Sequence, residues 1–341
     1  RGQGLEGRAA KRTCAIMKGQ GSGRGHVVPG LFFLLAGLHW AFSVIAAFLR
    51  TLGASNAASA SAPLLGPVAH SDAPAGVRKG DGGSSIDSRA PFRSRAWYPG
   101  LFGQYQSQQE QVRLGAMRPY VAMAEPLCKV FLPALGILLE LFLHPGSIHW
   151  RALTDSQGNV QAEYMNVWQH STMYLAFLLS GVVDILATTV LPSNTGDAAL
   201  SLAFAIEGLL FWFHLHDGRE AVAMTLHQLL VFCILGCAVC TAISAAMPSS
   251  FLLALGRPYF AIMQGLWFIA IADIEYGNPS ETFWPWGLRK HWDMDAMENN
   301  MFLPVLFSWY LVAAVVILLG IYLVMHRHVQ RSAQASLPVL P

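Results

Sequence analysis

Charge is what this chain has least of. Asp, Glu, Lys and Arg make up 12% of its 341 residues, while 54% are hydrophobic; soluble domains carry about a quarter charged residues. A soluble domain is thereby excluded and a polytopic membrane protein expected. The net charge is only +2, and no basic tract is interleaved with aromatics, which excludes nucleic acid as a partner. There is no nucleotide cradle, since no G-x-G-x-x-G or Walker pattern joins a strand to a helix, and no G-x-S-x-G elbow. No N-x-S/T acceptor is usable, because Asn278 is followed by Pro279. Cysteine is sparse and odd in number: Cys14, Cys128, Cys233, Cys237 and Cys240. The last three share one face of a single apolar run, where bridging is geometrically poor, so no disulfide framework follows. Their spacing would also suit a soft metal, but packing is the reading adopted.

What the chain has in abundance is apolar runs of spanning length. The first, VPGLFFLLAGLHWAFSVIAAFL (28–49), is read as a retained transmembrane helix, with a secretory signal as its rival. Residues 1–27, rich in Gly and Arg, are read as a disordered leader, and residues 51–118, rich in Gly, Ala, Ser and Pro, as a flexible loop. Six more spans follow, at about 120–143, 169–191, 200–213, 221–247, 251–274 and 301–325, in one membrane bundle (119–326) with a tail (327–341). The expected fold is all-α, a seven-helix polytopic bundle embedded in lipid.

Seven alternating spans impose an asymmetry. The starts of the odd spans share a membrane side with the ends of the even ones. His26, His144, His149, His170, His214, His216, His227 and His291 then fall toward one side, with His39 near mid-membrane. A modest Lys/Arg excess on the other side orients the histidine-rich face toward the lumen or exterior.

The stretch EGLLFWFHLHDGREAVAMTLH, from Glu207 to His227, concentrates the chemistry. Glu207 and His214 are seven residues apart, about 10 Å along one helix face. His216 follows, the chain turns at Asp217-Gly218-Arg219, and His227 falls two turns into the next run, expected near the depth of Glu207. Zinc accepts imidazole and carboxylate, and three protein ligands leave a position for water. The expected metal ligands are His170, His214, His216 and His227, with Glu207 as ligand or general base. The bland reading makes the same groups polar contacts between helices. Asp184 lies about 21 Å along the helix from His170, so the two cannot share an ion; Asp184 is read as a proton-relay or ion-path residue, or as a helix-packing anchor. Gln264, Gly265 and Trp267 open a polar notch reaching Asp273 and Glu275, with those two acids read as an exit into water.

The segments GHVVPGLFFLLAGLHW (25–40), WQHSTMYLAFLLSGVVDIL (168–186), EGLLFWFHLHDGRE (207–220) with His227, and QGLWF (264–268) resemble the transmembrane protein 45 family. The resemblance implies a multi-pass helical protein, places His26, Trp168, His170, Asp184, Glu207, His214, His216, His227 and Gln264 at motif positions, and supplies no activity. Three functions stay open: a metal-dependent membrane hydrolase using zinc, a transporter or channel for protons or metal ions, and a non-catalytic scaffold. No residue names a small-molecule substrate.

Overall fold

The computed structural model describes residues 23–60, 118–143, 154–161, 164–192, 195–214, 220–247, 250–277 and 292–335. These form α1 (Gly23–Ala60), α2 (Arg118–Leu138) with a π-helical turn (Leu139–Leu143), α3 (Met165–Ala187), α4 (Thr195–His214), α5 (Ala221–Ala246), α6 (Phe251–Tyr276) and α7 (Met297–Ala335). All seven are long and apolar enough to cross a membrane. The only β structure among the described residues is a bridge between Thr154 and Val160 in the α2–α3 connection. The first helix starts at Gly23, inside the stretch read as a leader, and runs ten residues into the stretch read as a loop; residues 61–117 lie outside the described ones. The histidines of the connections, His144, His149 and His291, also lie outside them.

In hydrocarbon the apolar faces of helices gain nothing by leaving lipid, so close packing and polar contacts decide which helices meet. Sequence neighbours α2 through α6 pack in order, α1 lies along α6, and α7 leans on α5, α6 and α1. Glycines set the α1–α6 contact. A Cβ on Gly37 would stand 2.7 Å from the Ile262 amide nitrogen, and one on Gly265 would stand 2.7 Å from the Gly30 carbonyl oxygen and strike the Leu34 amide. Gly23, Gly30 and Gly37 recur every seven residues, a spacing that keeps one side of α1 open to α6. Phe33 of α1 then packs on Phe177 of α3, Phe204 of α4 and Phe268 of α6.

Hydrogen bonds fix the register. Trp267 Nε1 donates to the Leu226 carbonyl at 2.8 Å, tying α6 to α5 one residue before His227. Ser201 Oγ donates to the Ala238 carbonyl at 2.9 Å, and the Phe211 ring stacks on His227 at 6.4 Å. His227 is therefore level with Phe211, a turn nearer the hairpin than Glu207. The expectation that His227 and Glu207 share a depth is corrected accordingly.

Candidate functional site: a histidine–glutamate cluster

Three helix ends converge on the histidine-rich side. His26 comes from the first turn of α1, His227 from the second turn of α5 and Glu275 from the last turn of α6. His26 Nε2 lies 3.4 Å from His227 Nε2. His227 Nδ1 lies 2.8 Å from the Ala223 carbonyl oxygen and 3.4 Å from Glu275 Oε1. A carbonyl can only accept, so Nδ1 carries the hydrogen and Nε2 presents its lone pair toward His26. A backbone carbonyl on the far nitrogen is the usual way a metal-binding imidazole is oriented. The His227 side chain is 1% exposed and that of Glu275 7%. Glu275 therefore points into the bundle, and its reading as an exit into water is corrected.

The geometry fits a small divalent ion. Two nitrogens bound tetrahedrally to zinc at about 2.0–2.1 Å stand about 3.4 Å apart, the separation found between His26 and His227. One donor atom from each of the three residues lies within 4.8 Å of the other two; Glu275 Oε1 approaches His227 at Nδ1, so the carboxylate would have to move toward the two Nε2 atoms to complete a two-histidine, one-carboxylate set. Such a set leaves a coordination position open for water. The site is walled by aromatic rings: Tyr276 at 5.3 Å and Phe268 at 6.2 Å from the His26 ring, with Phe211 on His227.

The other sequence candidates lie elsewhere or outside the described residues. His170 Nδ1 is 3.3 Å from Glu140 Oε1, a pairing of α3 with the π-helical turn after α2. Glu207, 2% exposed, accepts a 2.7 Å hydrogen bond from Gln264 Nε2, and Gln264 Oε1 lies 3.7 Å from Cys237 Sγ. Glu207 Oε2 has no hydrogen-bond partner among the described residues. Gln264 and Glu275 are eleven residues apart on α6, about 16 Å along the axis, and Phe268 lies between them, stacked on Phe33 and edge-on to Phe211. The Glu207–Gln264 pair thus forms a separate, deeper layer. Asp184 is deeper again and buried, hydrogen-bonded to Lys129 Nζ of α2. His214 ends α4 with its side chain outside the described residues, as is the whole of His216. Cys233 and Cys237 are buried in the core.

Sequence reasoning did not assign chemistry to His26, Glu275, Glu125, Lys129, Arg257 or Asp197. One signal was available. Arg257, Gln264 and Glu275 are spaced by seven and eleven residues, so all three share one face of α6. His26 was hidden by its position at the edge of a run that resembled a leader.

Comparison with known proteins gives matches of the same character. Residues 193–323, which include α4 to most of α7 and carry Glu207, His227, Gln264 and Glu275, match the model described as "Family of unknown function (DUF716)". The chain is 28% identical over 162 residues to human transmembrane epididymal protein 1, covering 47% of this chain and 56% of the relative. It is 25% identical to mouse transmembrane epididymal protein 1A and 24% identical to rat transmembrane epididymal protein 1, each over 47% of this chain and 50% of the relative. The chain spans about half the length of the curated relatives it matches. It is thus similar to a family of integral, multi-pass membrane proteins whose function is unknown.

Proposed function

We propose that the protein is a zinc-dependent membrane hydrolase whose metal is held by His26, His227 and Glu275. Kinship with the transmembrane protein 45 family, to which its motifs point, belongs to the same reading. The observation that carries it is the 3.4 Å approach of the two Nε2 atoms, with the His227 tautomer fixed by the Ala223 carbonyl. With its hydrogen on Nε2, His26 would donate to the His227 lone pair; with that hydrogen on Nδ1, both Nε2 lone pairs are open to a metal. A zinc ion held by these residues would lower the pKa of a water molecule in the remaining position. Glu275 would complete the ligand set as its carboxylate member. The sequence-derived donors His170, His214 and His216 stand as candidates for a further ligand, and Glu207 and Asp184 as candidates for proton transfer. The cluster sits where three helices end, at the level of the membrane boundary, so the substrate would be an amphipathic ester or amide whose scissile carbonyl reaches that depth. Water adds to the carbonyl and the bond to oxygen or nitrogen breaks, giving an acid and an alcohol or amine.

Elemental analysis of protein purified without chelators tests this. About one zinc per chain is expected, lost in His26→Ala and His227→Ala and kept in Glu207→Gln. Zinc-free wild-type protein that takes up none on reconstitution would overturn the proposal.

Conduction of protons or metal ions has one observation in its favour, the polar face of α6 carrying Arg257, Gln264 and Glu275. Against it stand Phe33, Phe211 and Phe268, which separate Glu207 from the histidine cluster. A proton flux into liposomes that vanishes in Glu207→Gln would favour conduction over hydrolysis.

A further inference from the structure

We propose that the membrane half opposite the metal site contains a half-buried proton-binding site, in which one proton held between His39 and Glu125 docks α2 onto α1. It does not depend on the metal reading, because its residues lie at the other end of the helices.

Five helices contribute to this layer. Lys129 of α2 pairs with Asp184 of α3. Arg257 of α6 donates to Asp197 Oδ1 of α4 at 3.2 Å, and its guanidinium lies 4.6 Å from the centre of the Trp40 ring of α1. Trp40 Nε1 donates to Glu125 Oε1 of α2 at 2.6 Å, and His39 Nε2 lies 3.0 Å from Glu125 Oε2. The groups are within electrostatic range of one another: Glu125 and Arg257 act on His39, Lys129, Glu125 and Asp197 on Asp184, and Arg257, Lys129 and Glu125 on Asp197. The remaining packed helices bring no charge to the layer, since α5 contains no Asp, Glu, Lys or Arg and α7 has none between Met301 and Met325.

The charges do not balance without a proton. Among the described residues three carboxylates, Glu125, Asp184 and Asp197, face two permanent cations, Lys129 and Arg257. An uncompensated carboxylate in hydrocarbon is costly, and Asp184 Oδ1, in a residue 1% exposed, has no hydrogen-bond partner among the described residues. Among these side chains histidine is the one that changes charge near neutral pH in its ordinary state, and His39 already lies against Glu125. Protonated, it donates to Glu125 Oε2 and brings the layer to neutrality. A sodium ion would balance the charge equally but wants several oxygen ligands, whereas both Glu125 oxygens already face nitrogens.

The proton has a mechanical consequence. The extended packing of α2 is against α3, and α2 is interrupted by Pro126, Pro133 and a π-helical turn. Its tie to α1 runs through Glu125, so deprotonating His39 leaves a net negative layer and weakens that tie.

Hydrogen exchange on the full chain in lipid nanodiscs tests this. After correction for intrinsic exchange, wild-type protection of residues 124–131 should fall by roughly tenfold or more between about pH 6 and about pH 9. His39→Lys, with a permanent cation, should keep α2 protected throughout, and Glu125→Gln should lose the pH dependence. Should a variant fail to fold, the 15N spectrum of wild-type protein labelled at histidine decides the charge state: an imidazolium for the half-buried His39 is expected near neutral pH. Protection independent of pH, protection that follows sodium at fixed pH, or a neutral His39 would each overturn the proposal.

Discussion

Gly265 of α6 meets Leu34 of α1 backbone to backbone, with no room for a Cβ between them. Eight residues along α1 toward its start stands His26, and ten along α6 toward its end stands Glu275. The metal cluster therefore depends on a glycine contact a few turns below it.

Gly265→Val should separate the two helices and cost at least about 3 kcal/mol, above the usual range for overpacking because backbone rather than side chain is struck. Zinc content should fall with stability. Retained zinc and unchanged unfolding in graded SDS would show that the α1–α6 contact does not set the site.

The Lys129–Asp184 pair should respond asymmetrically. Lys129→Met leaves a buried carboxylate without its cation and should cost about 3–5 kcal/mol, whereas Lys129→Met with Asp184→Leu should recover most of that loss. Unfolding of the single and double variants in one detergent measures the difference.

Glu207 and Gln264 form a layer distinct from the metal cluster. Gln264→Leu should cost about 1–3 kcal/mol by leaving a buried carboxyl unpartnered, with zinc content unchanged. Loss of zinc in this variant, with the fold intact, would place Glu207 in the metal site after all.

In the α2–α3 connection, Asp155 accepts from the amides of Gln157 and Asn159 at 2.8 and 2.9 Å and from Asn159 Nδ2 at 3.1 Å. Its carboxyl is held below the ordinary value of 3.8, chiefly by the Asn159 amide. The depressed value means the turn is fully supported above pH 3.8 and loosens only as pH falls through the lower one. An NMR titration should place the midpoint of the Asn159 amide shift below pH 3.8; a midpoint at or above it would contradict the assignment.

The seven spans were legible because each is a long apolar run, and hydrocarbon forces such a run into a helix. The side on which His26 and His227 meet followed from alternation alone. Which histidines meet did not, because that depends on helix neighbours, and the α1–α6 contact joins segments over 200 residues apart through glycines that carry no chemistry themselves. His227 was identified and its partners were not. Glu275 resembled the acidic end of a span leaving the membrane, and only the inward turn of its side chain distinguishes it. The charged layer escaped notice for a related reason: Glu125 and Lys129 on α2, Asp197 on α4 and Arg257 on α6 are each ordinary until packing gathers them.

X-ray absorption at the zinc edge of the purified wild-type protein tests the metal assignment most directly. Two imidazole nitrogens and a carboxylate oxygen at about 2.0–2.2 Å are expected, with one imidazole lost in His26→Ala. A zinc-free protein, or a shell of sulfur at about 2.3 Å from the cysteines of α5, would contradict it.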